Sequence, residues 1–203
     1  MSTEDNQWHL KKQRILLLDN YDSFTYNILH YVEVFDDVVC DVIRNDQFDL
    51  CELEQYHSFI LSPGPGLPNE AGNLIPLIKA AYQHKKLLGI CLGHQALAIA
   101  LGGELKQLTN VMHGLQRTCT IIDEQDPLFY NLPKSFEAGR YHSWVVEGKN
   151  LPYNLVVSSI DENNNIMSMH HTELSVFGVQ FHPESVMTPL GKQILSNWIN
   201  LPF

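Results

Sequence analysis

An open α/β fold, with a largely parallel central sheet covered by helices on both faces and a β-rich C-terminal half, is what this sequence predicts. Three observations lead there. In the first half, short apolar runs alternate with segments of helical period, the pattern that builds parallel sheets. At Gly89–Gly93 a glycine-flanked turn joins an apolar run directly to a helix. After Gly103 the signals are mostly strands and turns until one last helical stretch. A chain of 203 residues, 44% hydrophobic, can bury one sizeable core. The expected organisation is an N-terminal extension over 1–13 and a single domain over 14–203.

The elements follow in order. Arg14 to Asp19 reads as the first strand. Asp22 or Ser23 can cap a helix carrying Tyr26, Ile28, Leu29 and Val32. Val38 to Ile43 is the second strand and Ser58 to Leu61 a short third. A Pro/Gly-rich loop, Ser62 to Gly72, leads into a helix with Leu74, Leu77, Ile78 and Ala81 on one face. Strand Leu87–Ile90 follows, then a helix stopped by Gly102-Gly103. Strands are then predicted over Gln116–Ile122, Ser135–Tyr141, Leu155–Ile160 and Ile166–His171, and a further one ending at His182. Ile194, Leu195, Trp198 and Ile199 mark the closing helix.

The turn Gly89-Ile90-Cys91-Leu92-Gly93 carries the chemistry. It is a strand–turn–helix nucleophile elbow, G-x-S-x-G with cysteine in the serine's place. Glycines are needed because the turn leaves no room for side chains beside the nucleophile. A sulfur there meets the free N–H groups of a helix start, which favour a thiolate. The plain alternative is a buried structural cysteine. A cysteine nucleophile needs a base, and the base needs a group to orient it. Near the C-terminus, Val176 to Phe181 form an apolar strand followed by His182-Pro183-Glu184. Pro183 takes the chain out of the sheet. His182 and Glu184 then sit on a strand-end loop, where the carboxyl ends of parallel strands gather their functional groups.

Gly-Ile-Cys-Leu-Gly-His-Gln and Gly-Val-Gln-Phe-His-Pro-Glu-Ser together resemble the class I, triad-type glutamine amidotransferases. Leu16 to Asn27 and Leu61 to Pro68 narrow the resemblance to the small subunits (component II) of anthranilate synthase and aminodeoxychorismate synthase. It runs from about Arg14 to Phe203, with four motifs in the family's order. It implies a flavodoxin-like fold and a Cys91–His182–Glu184 triad that hydrolyses glutamine through a γ-glutamyl thioester. It implies an oxyanion hole at Leu92 and Gly66, and glutamine held by Gly64, Gly66, Leu92, Gln95, Ser143 and Trp144. Gln95 lies one helical turn after Cys91, on the same face. The family usually has leucine where Trp144 stands, so the pocket wall differs. His113-Gly114 matches a further family marker, but Leu115-Gln116-Arg117 depart from the pattern after it. His113 is read as structural or near a partner surface. His94 and His142 are read as structural or interface residues rather than alternative bases.

Released ammonia is useful only beside an acceptor enzyme, because free ammonia becomes protonated in water. The resemblance therefore implies a separate chorismate-using synthase subunit, component I of either synthase, with Mg²⁺ on that partner and no cofactor or metal on this chain. The loop Asn20, Tyr21, Asp22, Ser23 and Phe24 is the candidate contact surface. Generic rules would read it as a capped helix start facing solvent. Two other functions stay open at this point: a different cysteine hydrolase of the same fold, such as a γ-glutamyl hydrolase, and a catalytically silent binding subunit.

Composition agrees. A net charge of −10 argues against nucleic acid and anionic membrane as partners. No run is long and apolar enough to span a bilayer, and the polar, acidic start lacks a signal-peptide pattern. Cys40, Cys51, Cys91 and Cys119 lack metal-ligand spacing, and ten histidines are scattered. A reducing, cytoplasmic setting is expected.

Overall fold

A computed structural model describes residues 12–109 and 114–202. Residues 1–11 of the expected extension and His113 lie outside the described residues, while Gln13 of that expected extension already belongs to the first strand. Eleven strands and four α-helices are described: β1 (Gln13–Asp19), α1 (Thr25–Val32), β2 (Val38–Arg44), β3 (Ser58–Leu61), α2 (Leu74–Ala81), β4 (Lys86–Ile90), α3 (Leu92–Ala100), β5 (Leu105–Gln107), β6 (Leu115–Ile121), β7 (Ser135–Arg140), β8 (Trp144–Val146), β9 (Leu155–Ile160), β10 (Ile166–His171), β11 (Val176–Val179) and α4 (Gly191–Ile199). Short 3₁₀ turns lie at Leu50–Gln55, Pro68–Glu70 and Pro127–Phe129.

Nine strands form one sheet in the order β2-β1-β3-β4-β11-β10-β9-β6-β7, with β5 and β8 as a separate antiparallel pair. The pairings from β2 through β11 are parallel, and those from β11 through β7 are antiparallel. The expected parallel character thus holds for the first half, and the β-rich half extends the same sheet with reversed strands. Connection length explains the switch. Helices cross over between the parallel strands, whereas β9, β10 and β11 follow one another through turns too short for a parallel return.

Alternation along β1 divides the core. Ile15 and Leu17 pack with Ile28 and Val32 of α1 and Ile194, Leu195 and Trp198 of α4 on one face. Leu16 and Leu18 pack with Leu74, Leu77 and Ile78 of α2 and Leu92, Ala96 and Leu97 of α3 on the other. Each sheet face buries its own set because successive side chains point to opposite sides. At the amino end of β4, the buried Lys86 donates to the carbonyls of Trp198, Ile199 and Leu201 at 3.2, 3.1 and 2.9 Å, capping α4. Burial pushes the Lys86 ammonium down to about 8, so it stays mostly protonated at neutral pH. No helix among the described residues is long and apolar enough to cross a membrane.

Three local expectations need correction. The first helix is not capped by Asp22 or Ser23; its N-cap is Phe24, with no side-chain cap bond. The Asp22 carboxylate instead accepts from the Phe24 N–H at 2.8 Å, and Asp19 accepts from the Asp22 N–H and the Thr25 hydroxyl. The strand before His182 ends at Val179, because beyond it the chain bonds elsewhere: Gln180 N–H to Met167 O and His182 N–H to Gly139 O. Strands β5 and β8, three residues each, are additional to those expected.

Candidate active site

Ile90 and Val179 are register partners at the carboxyl ends of β4 and β11, so the segments that follow them emerge side by side. Cys91 comes next on one, and its N–H donates to the Val179 carbonyl at 2.8 Å. Its backbone is strained, at φ 51° and ψ −100°, a conformation that non-glycine residues rarely adopt. The elbow glycines are forced by packing. A Cβ on Gly89 would sit 2.5 Å from the Gly93 carbonyl, and one on Gly93 would collide with the Leu61 carbonyl of β3. The sulfur therefore stands at the first turn of α3, where the Leu92 N–H has no partner within the helix.

The candidate base arrives on the other segment. His182 Nδ1–H donates to Glu184 Oε1 at 2.6 Å, and both residues are buried. Gly191 at the start of α4 packs on the Pro183 carbonyl so closely that no side chain would fit, and this pins the loop. Burial by itself would lower the His182 imidazole, but the Cys91 sulfur and the Glu184 carboxylate outweigh it and hold His182 well above its ordinary value. His182 Nε2 makes no aligned hydrogen bond and is the ring atom left for proton transfer. The ring is held edge-on by Tyr141, centroids 4.8 Å apart, and by Phe24 at 5.9 Å, and these two aromatics meet at 5.5 Å.

A small polar cavity of about 140 Å³ opens at Cys91, lined by Gly64, Pro65, Gly66, Leu92, Gln95 and the segment Tyr141–Trp144. The cleft between α1 and α4 is larger, at about 300 Å³, but its lining holds no cysteine. Gly66 adopts φ 74°, open to glycine without strain. A Cβ on Gly64 would lie 2.6 Å from the Asn20 carbonyl and 2.8 Å from Leu92. The Pro-Gly-Pro-Gly loop is thereby laid against both the elbow and Asn20.

Asn20 departs from expectation as a surface residue. It is 2% exposed, and its N–H and Nδ2 bond to the hydroxyl and carbonyl of Ser62 at 2.8 Å each. Its Oδ1 accepts from Asn45 at 3.0 Å. Asn20 is a brace for the glycine loop, and its side chain is not available to a docking partner. Tyr21 is half exposed, with its hydroxyl on Asp46 and its ring under Arg44, while Asp22 and Phe24 are half-buried and Ser23 exposed.

Around the pocket the histidines divide. Burial pushes His94 down to about 3 and His142 down to about 4. Both are neutral interior rings and not candidate bases. Arg140, at the end of β7 just before the cavity-lining Tyr141–Trp144, is turned away into a buried pair with Asp161 at 2.9 Å. Ser143 and Trp144 do reach the cavity. Gln95 reaches it too, with its Nε2 donating to Trp144 O at 2.9 Å and to Gln180 Oε1 at 3.1 Å. The sequence assigns no role to Gln180 or Tyr141, and it places Asn20 on the contact surface rather than under the glycine loop. Gln180 lies in Gly-Val-Gln-Phe-His-Pro-Glu-Ser, where it reads as one more residue of a buried strand. No group of three or more metal-ligating side chains gathers among the described residues.

Comparison with known proteins extends this geometry. The family model for class-I glutamine amidotransferases matches residues 16–201. The chain is 40% identical over 190 residues to anthranilate synthase component 2 of Porphyra purpurea, covering 92% of this chain and 98% of that one. It is 39% identical over 188 residues to the aminodeoxychorismate/anthranilate synthase component 2 of Bacillus subtilis, covering 91% and 95%. A bifunctional protein TrpGD of Thermotoga maritima is 39% identical over 192 residues, 93% of this chain and 32% of that longer protein. A glutamine amidotransferase structure from Methylobacillus flagellatus shares the fold, with TM-score 0.75 and 16% identity over 93% of this chain and 94% of that one.

Proposed function

Since the chain belongs to the class-I glutamine amidotransferase family, we propose that it is the glutaminase component of a chorismate-using synthase, supplying ammonia for anthranilate, aminodeoxychorismate or both. The observation that carries the proposal is the meeting of Cys91 with the His182–Glu184 pair over a cavity walled by Gly64 and Gly66. Relatives named as one component of a synthase support a second, separate subunit as partner. Mg²⁺ is assigned to that partner. The match over 16–201 supports one amidotransferase domain over 14–203, and a cytoplasmic setting suits its free cysteines.

The chemistry follows from the residues. The Cys91 thiolate attacks the side-chain amide carbon of glutamine, forming the C–S bond. The carbonyl oxygen becomes an oxyanion facing the N–H groups of Leu92 and Gly66; one such donor is typically worth about 10²–10³ in rate. His182 Nε2–H protonates the amide nitrogen, the C–N bond breaks and ammonia leaves. His182, now neutral, takes a proton from water, which attacks the γ-glutamyl thioester and releases glutamate and the thiolate. Throughout, Glu184 accepts from Nδ1–H, which fixes the tautomer and stabilises the charged ring. Gln95, Ser143 and the backbone at Trp144 are assigned to the α-amino and α-carboxylate groups.

Glutamate release from glutamine by this chain alone, and with each synthase component I plus chorismate, tests the proposal. Strong stimulation by one partner supports the reading and names the product; stimulation by both means a shared subunit. No release in any mixture of folded proteins overturns it.

A further inference from the structure

Gln180 has no part in the mechanism above, yet it is fully buried and its side-chain amide touches the nucleophile. It lies one residue past β11, with its backbone N–H on the Met167 carbonyl of β10. Its Nε2 donates to Cys91 Sγ at 3.6 Å, and its Oε1 accepts from Gln95 Nε2 at 3.1 Å. Gln95 Nε2 gives its other hydrogen to the Trp144 carbonyl at 2.9 Å.

Polarity admits one sense for this chain of contacts. A backbone carbonyl only accepts, so Gln95 presents its NH₂ group to Trp144. That same NH₂ faces Gln180, which must answer with its oxygen. The Gln180 NH₂ is then the end that meets sulfur, and a donor is what a thiolate requires. The Gln95 oxygen stays outside the chain, on a residue that lines the cavity.

We infer that Gln180 is a positioning residue that joins the nucleophile to the substrate pocket, donating to the Cys91 thiolate and turning the Gln95 acceptor toward the α-ammonium of glutamine. The substrate half of this inference rests on the glutaminase reading; the contact with sulfur does not. The titratable groups around the sulfur are His182 with Glu184 behind it, His94 on α3, and His142 from the segment after β7. The two latter rings are neutral, so among side chains the amide and the His182 imidazolium are the donors available to the anion, beside the N–H groups at the start of α3.

Gln180→Met keeps the side-chain length and removes both amide atoms. The test reads iodoacetamide alkylation of Cys91 against pH, resolved from Cys40 and Cys51 by peptide mass spectrometry, together with kcat and KM for glutamine. In Gln180→Met the alkylation midpoint rises by about one pH unit, so the rate well below it falls about tenfold, since one unit is a factor of ten. KM also rises and kcat falls. Gln95→Met raises KM with a smaller shift of the alkylation profile. A merely structural role would lower the melting temperature and leave the midpoint in place. If Gln180→Met does not melt cooperatively, Gln180→Asn, too short to reach both partners, takes the same two readouts. A wild-type alkylation profile with a wild-type KM in the folded variant overturns the inference. If the wild-type protein does not hydrolyse glutamine, alone or with either synthase component I, the function proposed above fails, while the alkylation arm still decides the sulfur contact.

Discussion

Strand β4 is five residues long and buries a reactive group at each end. At its amino end Lys86 meets three carbonyls and lies 4.9 Å over the Trp198 ring. Just past its carboxyl end Cys91 holds a strained backbone, and the polar atoms His182 Nε2, Glu184 Oε2 and His142 Nε2 are buried without partners. Trp198 Nε1 beside the Lys86 cap is also buried without an aligned partner, so what sets the two ends apart is the strained backbone and the cavity at Cys91. Leaving buried polar atoms unpaired costs stability, as does a left-handed cysteine. The contrast separates what this fold uses for cohesion from what it keeps for chemistry.

The largest effect that sharpens the contrast is at Cys91. Cys91→Ala and Cys91→Gly are both expected to lose glutamine hydrolysis by at least about 10⁴-fold, because the covalent route is gone. Stability should move the other way for one of them. Glycine relieves the positive φ and alanine does not, so Cys91→Gly should melt above Cys91→Ala by about 1 kcal/mol. Equal melting temperatures would show that the elbow stores no strain.

Acid should attack the carboxyl end first. His94 and His142 bind a proton near pH 6.5 when unfolded but only at about 3 and about 4 when folded. Between those limits the unfolded chain binds more protons, so the stability they contribute is complete above pH 6.5 and lost as pH falls toward 4 and then 3. At about 1.4 kcal/mol per unit the two losses are at most roughly 5 and 3 kcal/mol. Melting curves from pH 7 to 4 check this. In His142→Asn the fall over that range should be shallower, and an unchanged slope would remove His142 from the account.

Lys86→Met should then cost about 1–3 kcal/mol of stability, since the carbonyls at the end of α4 lose their donor in a buried place. The loss is moderated because burying the ammonium is itself unfavourable. Glutamine turnover by the folded variant should stay at the wild-type level. A large fall in kcat at unchanged stability would break the division between the two ends of β4.

How much of this was legible in the chain depended on range. The elbow and the His-Pro-Glu loop are local, each within a few residues of a strand end, and their glycines and proline announce the turn. The bracing of the Pro-Gly-Pro-Gly loop is not local. Asn20 sits among polar residues and reads as solvent-facing, and its partner Ser62 is distant in sequence. Gln180 is hidden for a similar reason, since a strand pattern tells which face a residue occupies and not which atom it meets there. Strands β5 and β8 are too short to show a period. The reversal of the sheet after β11 depends on loops whose length can be read but whose pairing cannot.

Phe24 carries the smallest expected effect and the most pointed one. Its ring lies against both Tyr141 and the His182 imidazole, yet it belongs to the loop that exposes Tyr21 and precedes the exposed Tyr26. A partner that docks on this loop would press on a residue already touching His182. Aromatic contacts of this kind are worth about 0.5–1.5 kcal/mol, or roughly two- to tenfold in rate if the contact acts only in the transition state. Phe24→Leu keeps the apolar bulk and loses the ring edge. It should reduce basal glutamine turnover within that range and reduce partner stimulation as well, whereas Tyr21→Ala, which touches no catalytic group, should weaken partner affinity and spare basal turnover. Measuring both variants with and without the synthase separates contact from transmission. If Phe24→Leu changed partner affinity alone, the ring would be a docking residue like Tyr21, and the path from surface to base would have to run elsewhere.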